Sequence, residues 1–470
     1  MESHYIRKKS KRKYLDRNLT LCKLYSLYVK KCEDENKEPV SEMTYRRIFS
    51  TEFNLGFFMP KKDQCLLCTM YNRANPEEKN KIQEEYQTHI VRKQTCNQEK
   101  DKDKKRAEEE TNLLSATFDL QAILQLPCTD VGLLYYTRKL TLYNLTLYES
   151  APPNEAYCFV WSEINGKKGS SEIGSILCHY LMKCVPEEVT EVSLFSDTCG
   201  GQNRNQFVAA ILLWVIQNSN HLQIIEHKFL ESGHSYMEAD SMHSAIESAK
   251  KNVDLFCMTD WINIFKRARS KKRYRKNTKT ITKNCYQVKE FKYNEFKDLT
   301  NTIILNRTKN TDGQQVKWLK IKRMKYIKGD KKIYYNYDMS NSFMAIDVTA
   351  SDTQNKININ SALTSSVHGY HSYATRNKAK RLPAEQVIEL PTTSELQFPP
   401  LEQLYDGPLP ITEAKKKDLI NLCEKGVIPE EYHGWYRSFL VDRDRTERVP
   451  DVAASEESQS KSSVDSSADE

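Results

Sequence analysis

No stretch of this sequence is long and apolar enough to cross a bilayer: the longest apolar run, FVAAILLWVI at 207–216, falls short of the roughly 20 residues a spanning helix needs. A basic-then-apolar leader is also missing, since MESHYIRKKSKRKYLDRNLT is charged throughout. The two absences argue against a membrane partner and point to a soluble, intracellular chain. Cysteine is present, but without the order of a disulfide framework. The 13 cysteines are scattered, odd in number and without a leader, so most are expected to be reduced core residues. Only Cys65 and Cys68 have ligand-like spacing, and no second pair of that kind follows.

What is present is length and positive charge. A chain of 470 residues exceeds what one core usually serves, so two to three domains are expected. The formal charge of +8, with 29% charged residues, is spread unevenly and suits a polyanionic partner, nucleic acid first. Residues 1–114 read as a helical, basic region. In LCKLYSLYVKKC the spacing puts Leu21, Leu24, Tyr25 and Tyr28 on one helical face. That helix either contacts DNA or is a core element with a solvated basic face. PKKDQCLLCTMYN follows, and 76–110 reads as one long exposed helix carrying His89 and Cys96. The Cys65-x-x-Cys68 knuckle presents two thiolates to one tetrahedral ion, and zinc needs two further ligands. His89 is a candidate for one, with Cys96 or His4 for the other. The competing reading is a turn with two ordinary thiols; no thioredoxin-like strand precedes it to support a redox pair.

From 115 the pattern changes. SATFDLQ, LTLYNLTLYES and AYCFVWSEI read as strands, SSEIGSILCHYLMKCV as an amphipathic helix and EVSLFSD as a fourth strand. NQFVAAILLWVIQ is a buried helix, LQIIEHKFL a fifth strand and MEADSMHSAIESAKK a helix. The order β-β-β-α-β-α-β-α is that of an α/β, ribonuclease-H-like mixed sheet core flanked by helices, expected over 115–265. Asp119 falls on the first strand and Asp197 at the end of the fourth, where α/β sheets open their binding crevice. Asp240, His243 and Glu247 share one face of the last helix, so Glu247 is the expected third carboxylate. Asp119, Asp197 and Glu247 are the oxygen ligands that a pair of Mg²⁺ or Mn²⁺ ions needs for phosphodiester attack. The amides Gln202, Asn203 and Asn205 lie at a helix N-terminus, where phosphate is held favourably. His234 and Ser235 either reach toward that phosphate or simply make a turn. Singly, each aspartate is equally a turn or helix cap, Asp240 included, and His243 equally a core histidine.

Beyond this core, KRARSKKRYRK at 266–276 is the densest positive run. Lys266, Arg267, Arg269, Lys271, Lys272, Arg273 and Arg275 are candidate DNA contacts, and Tyr274 is placed to stack on an unpaired base. The same run also reads as a solvated basic helix or a nuclear-import patch; a nuclear location is expected. Residues 266–347 look like a small basic α+β module and 348–396 like a polar linker. Residues 397–445 form a small helical element, with Thr412 and Glu413 opening a helix, and 446–470 an acidic, serine-rich tail.

Six stretches carry a family resemblance: YRRIFSTEFNLGFFMPKKDQCLLC, ATFDLQ, LYYTRKLTLYNLTLY, GSSEIGS, SDTCGGQNRN and GHSYMEADSMHSAIE. Through them, residues from roughly 4 to 300 resemble a large, mostly uncharacterised family of transposase-derived proteins abundant in insect and other animal genomes. The resemblance implies a DDE-type, ribonuclease-H-like transposase core preceded by DNA-binding segments. Asp240-x-x-His243 is similar to a Cys/Asp-x-x-His signature of several eukaryotic transposase groups. Those groups often carry the catalytic glutamate further downstream, which makes Glu290 and Glu295 rivals of Glu247. Three functions remain open: a metal-dependent DNA transposase or nuclease, a domesticated and inactive DNA- or chromatin-binding protein, and a structural zinc-containing interaction protein. The start at Met1 so close to the matching segment raises the expectation that an upstream DNA-binding segment is missing. Self-association into a homo-oligomer is left open.

Overall fold

The structure, a computed structural model, describes residues 13–15, 19–57, 65–235, 237–269, 272–276, 279–298, 306–348 and 400–443. His4 and Lys271, nearly all of the expected linker and all of the expected acidic tail lie outside the described residues. The chain divides into two units, Met1–Gln87 and Thr88–Glu470.

In the first unit, Thr20 and Ser41 open helices α1 (Leu21–Asp34) and α2 (Glu42–Glu52). Their hydroxyls accept hydrogen bonds from the backbone N–H groups of Lys23 and Thr44, at 3.2 and 3.3 Å, capping amides that a helix start leaves without partners. Leu21, Leu24, Tyr25 and Tyr28 lie on the covered face of α1, as their spacing predicts. Tyr25 and Tyr28 meet Tyr45 of α2 at ring-centroid distances of 5.6 and 5.1 Å. Strands β1 (Lys13–Leu15) and β2 (Leu55–Phe57) pair in parallel. Cys65 leads into α3 (Leu66–Arg73), and α4 (Pro76–Glu109) follows, its residues from Thr88 on belonging to the second unit.

The second unit is α/β, a large mixed sheet flanked by helices. The sequence alternates strand-like runs of β-branched and aromatic residues with helices, and such an order can bury both kinds of element only in layers. Strands β3 (Leu113–Leu120), β4 (Leu124–Leu126), β5 (Leu140–Glu149) and β6 (Ala156–Ser162) come first, then α5 (Ser170–Lys183), β7 (Glu191–Ser196), α6 (Gln206–Asn218), β8 (Ile224–Phe229), α7 (Glu238–Lys250) and α8 (Met258–Ala268). The basic stretch beyond carries β9 (Lys272–Lys276) and β10 (Lys279–Lys283), an antiparallel pair, followed by β11 (Gln287–Glu290), β12 (Arg323–Ile327), β13 (Lys332–Asn336) and β14 (Met344–Asp347). Last come β15 (Ile411–Thr412), α9 (Glu413–Glu424), α10 (Glu430–Arg437) and β16 (Val441–Asp442).

The main sheet runs β11-β6-β5-β3-β7-β8-β12-β13-β14, with β4 also on β5. β3, β5 and β6 are antiparallel neighbours, whereas β7 and β8 run parallel to β3. Four strands from residues 285–347 thus join this sheet. β6 is buried throughout, and its alternation divides the core. Tyr157, Phe159 and Trp161 face the apolar layer of α5 and α6, while Ala156, Cys158 and Val160 face that of α7, α8, α9 and α10. The run 207–216 is apolar on all sides because α6 lies within the first layer, where Val208–Leu213 are all buried. Thr412 caps α9, its hydroxyl accepting from Lys415 N at 3.3 Å.

Helix α4 differs from the expected exposed helix. The helix is there, but His89, Cys96 and Asp103 are buried. Asp103 accepts from Lys228 Nζ and Ser193 Oγ, both at 2.5 Å, and Lys228 also meets Glu226 at 3.2 Å, itself 2.8 Å from Arg323. Those partners lie on β7, β8 and β12. Burial through paired charges leaves no apolar period in the sequence, so hydropathy reads such a face as solvated.

Candidate metal centre

Strand register brings the first two carboxylates together. β3 and β7 pair in parallel with Thr117 opposite Phe195, so two residues further Asp119 and Asp197 leave the same end of neighbouring strands. Phe118 packs into the α5/α6 layer, which turns Asp119 to the opposite face, toward α7. There one ligand atom from each of Asp119, Asp240 and His243 lies within 4.8 Å of the others. The Asp119 carboxyl is held well above the usual carboxylate range, first by burial and then by the negative charges of Asp197 and Asp240. Like charges gathered in this way are relieved by a bound cation.

Each side chain is fixed from behind. Asp197 Oδ1 accepts from Cys199 N at 3.1 Å and from Asn203 Nδ2 at 2.5 Å. The CGGQN turn following the aspartate therefore folds back and clamps it. Asn205 is used twice: its Oδ1 accepts from Phe207 N and Val208 N to cap α6, and its Nδ2 donates to Gly200 O at 3.0 Å. A Cβ at Gly200 would stand 2.8 Å from the end of the exposed Leu319 side chain, which would have to swing aside. His243 Nε2 shares a hydrogen bond of 2.9 Å with Thr146 Oγ1, which donates to Asp119 O at 3.1 Å. Thr146 stands opposite Asp119 in the β3–β5 register. Burial pushes the His243 imidazole down to about 4, so it is neutral near pH 7 and able to offer a lone pair. Asp240 Oδ2 also accepts from Met237 N at 3.1 Å, so the cap expected of Asp240 and its place in the cluster are both real.

The remaining expected residues are distributed as follows. Glu247 is exposed one turn beyond His243, its Oε1 3.4 Å from Gln121 Nε2, and it stands outside the Asp119, Asp240 and His243 set. Glu290 pairs with Lys292, and Glu295 with Lys289 at 2.7 Å. Asn203 and Asn205 are committed to the turn, and Gln202 sits partly buried within it. Lys266 and Arg267 are exposed at the end of α8, with Arg267 donating to Ala249 O at 2.8 Å. Arg269 turns inward, its guanidinium 5.8 and 5.6 Å from the Tyr148 and Tyr286 rings. Lys272, Arg273 and Arg275 are strand residues of the β9–β10 hairpin, so the basic run is not one continuous helix.

Sequence reasoning missed Thr146 and Arg204. Arg204 lies in the clamped turn. Burial lowers its pKa while the charges of Asp197 and Glu231 pull it back, and its Nε is buried without a hydrogen-bond partner among the described residues. A cation set in a row of amides beside a candidate metal aspartate was the available signal; Thr146 left none without the register.

Further side chains with metal-ligating chemistry are Cys65 and Cys68 in the first unit, and His89 and His234 in the second. In the second unit, His89 Nε2 lies 3.0 Å from His234 Nε2, and His89 Nδ1 lies 3.3 Å from Glu231. Cys96, weighed as a ligand, points its thiol to Phe229 O at 3.8 Å, and burial pushes that thiol up to about 11.

Among the described residues, no helix is long and apolar enough to cross a membrane. A family profile described as a domain of unknown function, DUF7869, matches residues 150–325, less than half of the chain. No curated protein and no solved structure matches it.

Proposed function

We propose that this chain is a transposase-derived protein with a ribonuclease-H-like core that cuts or joins DNA phosphodiesters with divalent metal ions. The observation that carries the reading is the meeting of Asp119, Asp240 and His243 beside Asp197, at the end of neighbouring parallel strands. The order β6-β5-β3-β7-β8, three antiparallel strands and then two parallel to the first, supports the fold assignment. The carboxylate oxygens suit Mg²⁺ or Mn²⁺. When bound, such ions would lower the pKa of an attacking water or 3′-hydroxyl and steady the leaving oxygen. Asp119 and Asp197 are the primary oxygen ligands in this reading, with Asp240 and neutral His243 completing the set and Glu247 one turn away. Arg204 is the proposed phosphate contact: a half-buried guanidinium next to the acidic group draws a phosphodiester to where the metals act. The basic hairpin and the exposed Lys266 and Arg267 are the proposed nonspecific DNA surface, which also fits a nuclear location.

The test is cleavage and strand transfer on a labelled DNA duplex with Mg²⁺ or Mn²⁺, comparing wild type with Asp197→Asn under conditions where both bind DNA equally. Metal-dependent products from wild type that vanish with Asp197→Asn support the reading. Equal DNA binding with no metal-dependent product from wild type would replace it with the domesticated DNA-binding protein.

A further inference from the structure

We propose a second metal site, chemically different from the carboxylate centre: His89 and His234 ligate one zinc ion through their Nε2 atoms, with Glu231 orienting His89. His89 lies on the buried side of α4, and His234 in the turn between β8 and α7, where Gly233 adopts φ +70°. The two Nε2 atoms face each other at 3.0 Å, with ring centroids 5.0 Å apart and planes inclined by 47°. Two nitrogens each about 2.0–2.1 Å from a tetrahedral ion stand roughly 3.3 Å apart, so the observed spacing needs only a few tenths of an ångström of adjustment.

The surroundings are those of a ligating imidazole. Glu231 Oε1 lies 3.3 Å from His89 Nδ1, and with that nitrogen donating, Nε2 carries the lone pair. A carboxylate behind a histidine fixes the tautomer and raises the basicity of the coordinating nitrogen. Glu231 is itself anchored by Lys322 at 2.7 Å, so the second layer is rigid. His234 N donates to Glu231 O at 3.0 Å, which ties the second imidazole to the same residue. Two imidazoles favour zinc over Mg²⁺ or Mn²⁺, which prefer oxygen. The two histidines supply two of the four positions of a tetrahedral zinc ion, both from within the second unit.

This inference does not depend on the chain being a nuclease. The full chain is purified, dialysed against metal-free buffer and analysed for zinc, then reloaded with Co²⁺ and examined by visible absorption. Wild type is expected to retain about one zinc per chain and to show the d–d bands of tetrahedral Co²⁺. His89→Ala with His234→Ala should lose both. His234→Cys, which replaces one ligand by another, should keep the metal and shift the Co²⁺ bands, a change that a merely structural histidine would not cause. Wild type that holds neither zinc nor Co²⁺ would overturn the proposal, as would an unaltered Co²⁺ spectrum in His234→Cys.

Discussion

At the scale of single residues, the clamp on Asp197 is the most consequential detail. Asn203 is almost fully buried and spends its amide nitrogen on Asp197 Oδ1. Asn203→Ala should leave the fold intact and weaken Mn²⁺ binding by about 10–100-fold, the usual effect of removing a residue that orients a ligand; calorimetric titration of the full chain reads this directly. His227 makes a pH prediction. Its ring is buried between Phe118 and Phe229, at 5.4 and 4.2 Å, and burial drops its pKa to about 3. The folded pKa is depressed, so between about 6.5 and 3 the unfolded chain binds a proton that the folded chain refuses. Stability from this group is whole above pH 6.5 and is lost on acidification through that window. Denaturation curves from pH 7 to 5 should show a shallower loss for His227→Gln than for wild type. The slopes should differ by as much as about 1.4 kcal/mol per pH unit; equal slopes would mean that the ring is protonated in the fold.

At the scale of elements, strand order was legible and the edges of the sheet were not. Asp119 and Asp197 could be put on adjacent strands because SATFDLQ and EVSLFSD are short apolar runs in the right sequence of elements. β12 and β13 are basic and aromatic, and nothing in KWLKIKRMKYI says that Met324 and Tyr326 pair with β8 while Arg323 reaches Glu226. Thr146 and the Asp103 seam were hidden for the same reason: polar partners are chosen by three-dimensional register, not by period. That seam is open to test. Asp103→Ala removes the nearest of the carboxylates around buried Lys228 and the acceptor of Ser193, and should cost about 1–3 kcal/mol in chemical denaturation, because Glu226 at 3.2 Å still pairs the lysine. In Asp103→Asn, the amide oxygen still accepts from Ser193 or Lys228, so the loss should be smaller. The β9–β10 hairpin calls for a binding measurement. Arg273 and Arg275 are alternate residues of β9. Replacing both by Ala should flatten the dependence of log affinity for DNA on log salt by roughly 0.9 for each phosphate that the hairpin no longer neutralises.

At the scale of the whole molecule, the main sheet is assembled out of order. Its interior strand β3, fourth in the order, comes first in the chain, and the residues from 287 onward return to extend both flanks, β11 beside β6 and β12–β14 beside β8. The family-matched stretch 150–325 contains β6, β7 and β8 but neither β3 nor β5, the two strands that join β6 to β7. The matched stretch is therefore not by itself a unit of folding. A polypeptide cut to those residues would carry two bare strand edges where the sheet should be continuous, and bare edges recruit other chains. It should emerge insoluble, whereas the chain from Thr88 to the last described strand should stay monodisperse in gel filtration. Any inheritance of the 150–325 stretch alone would thus require a host that lends it two strands from elsewhere.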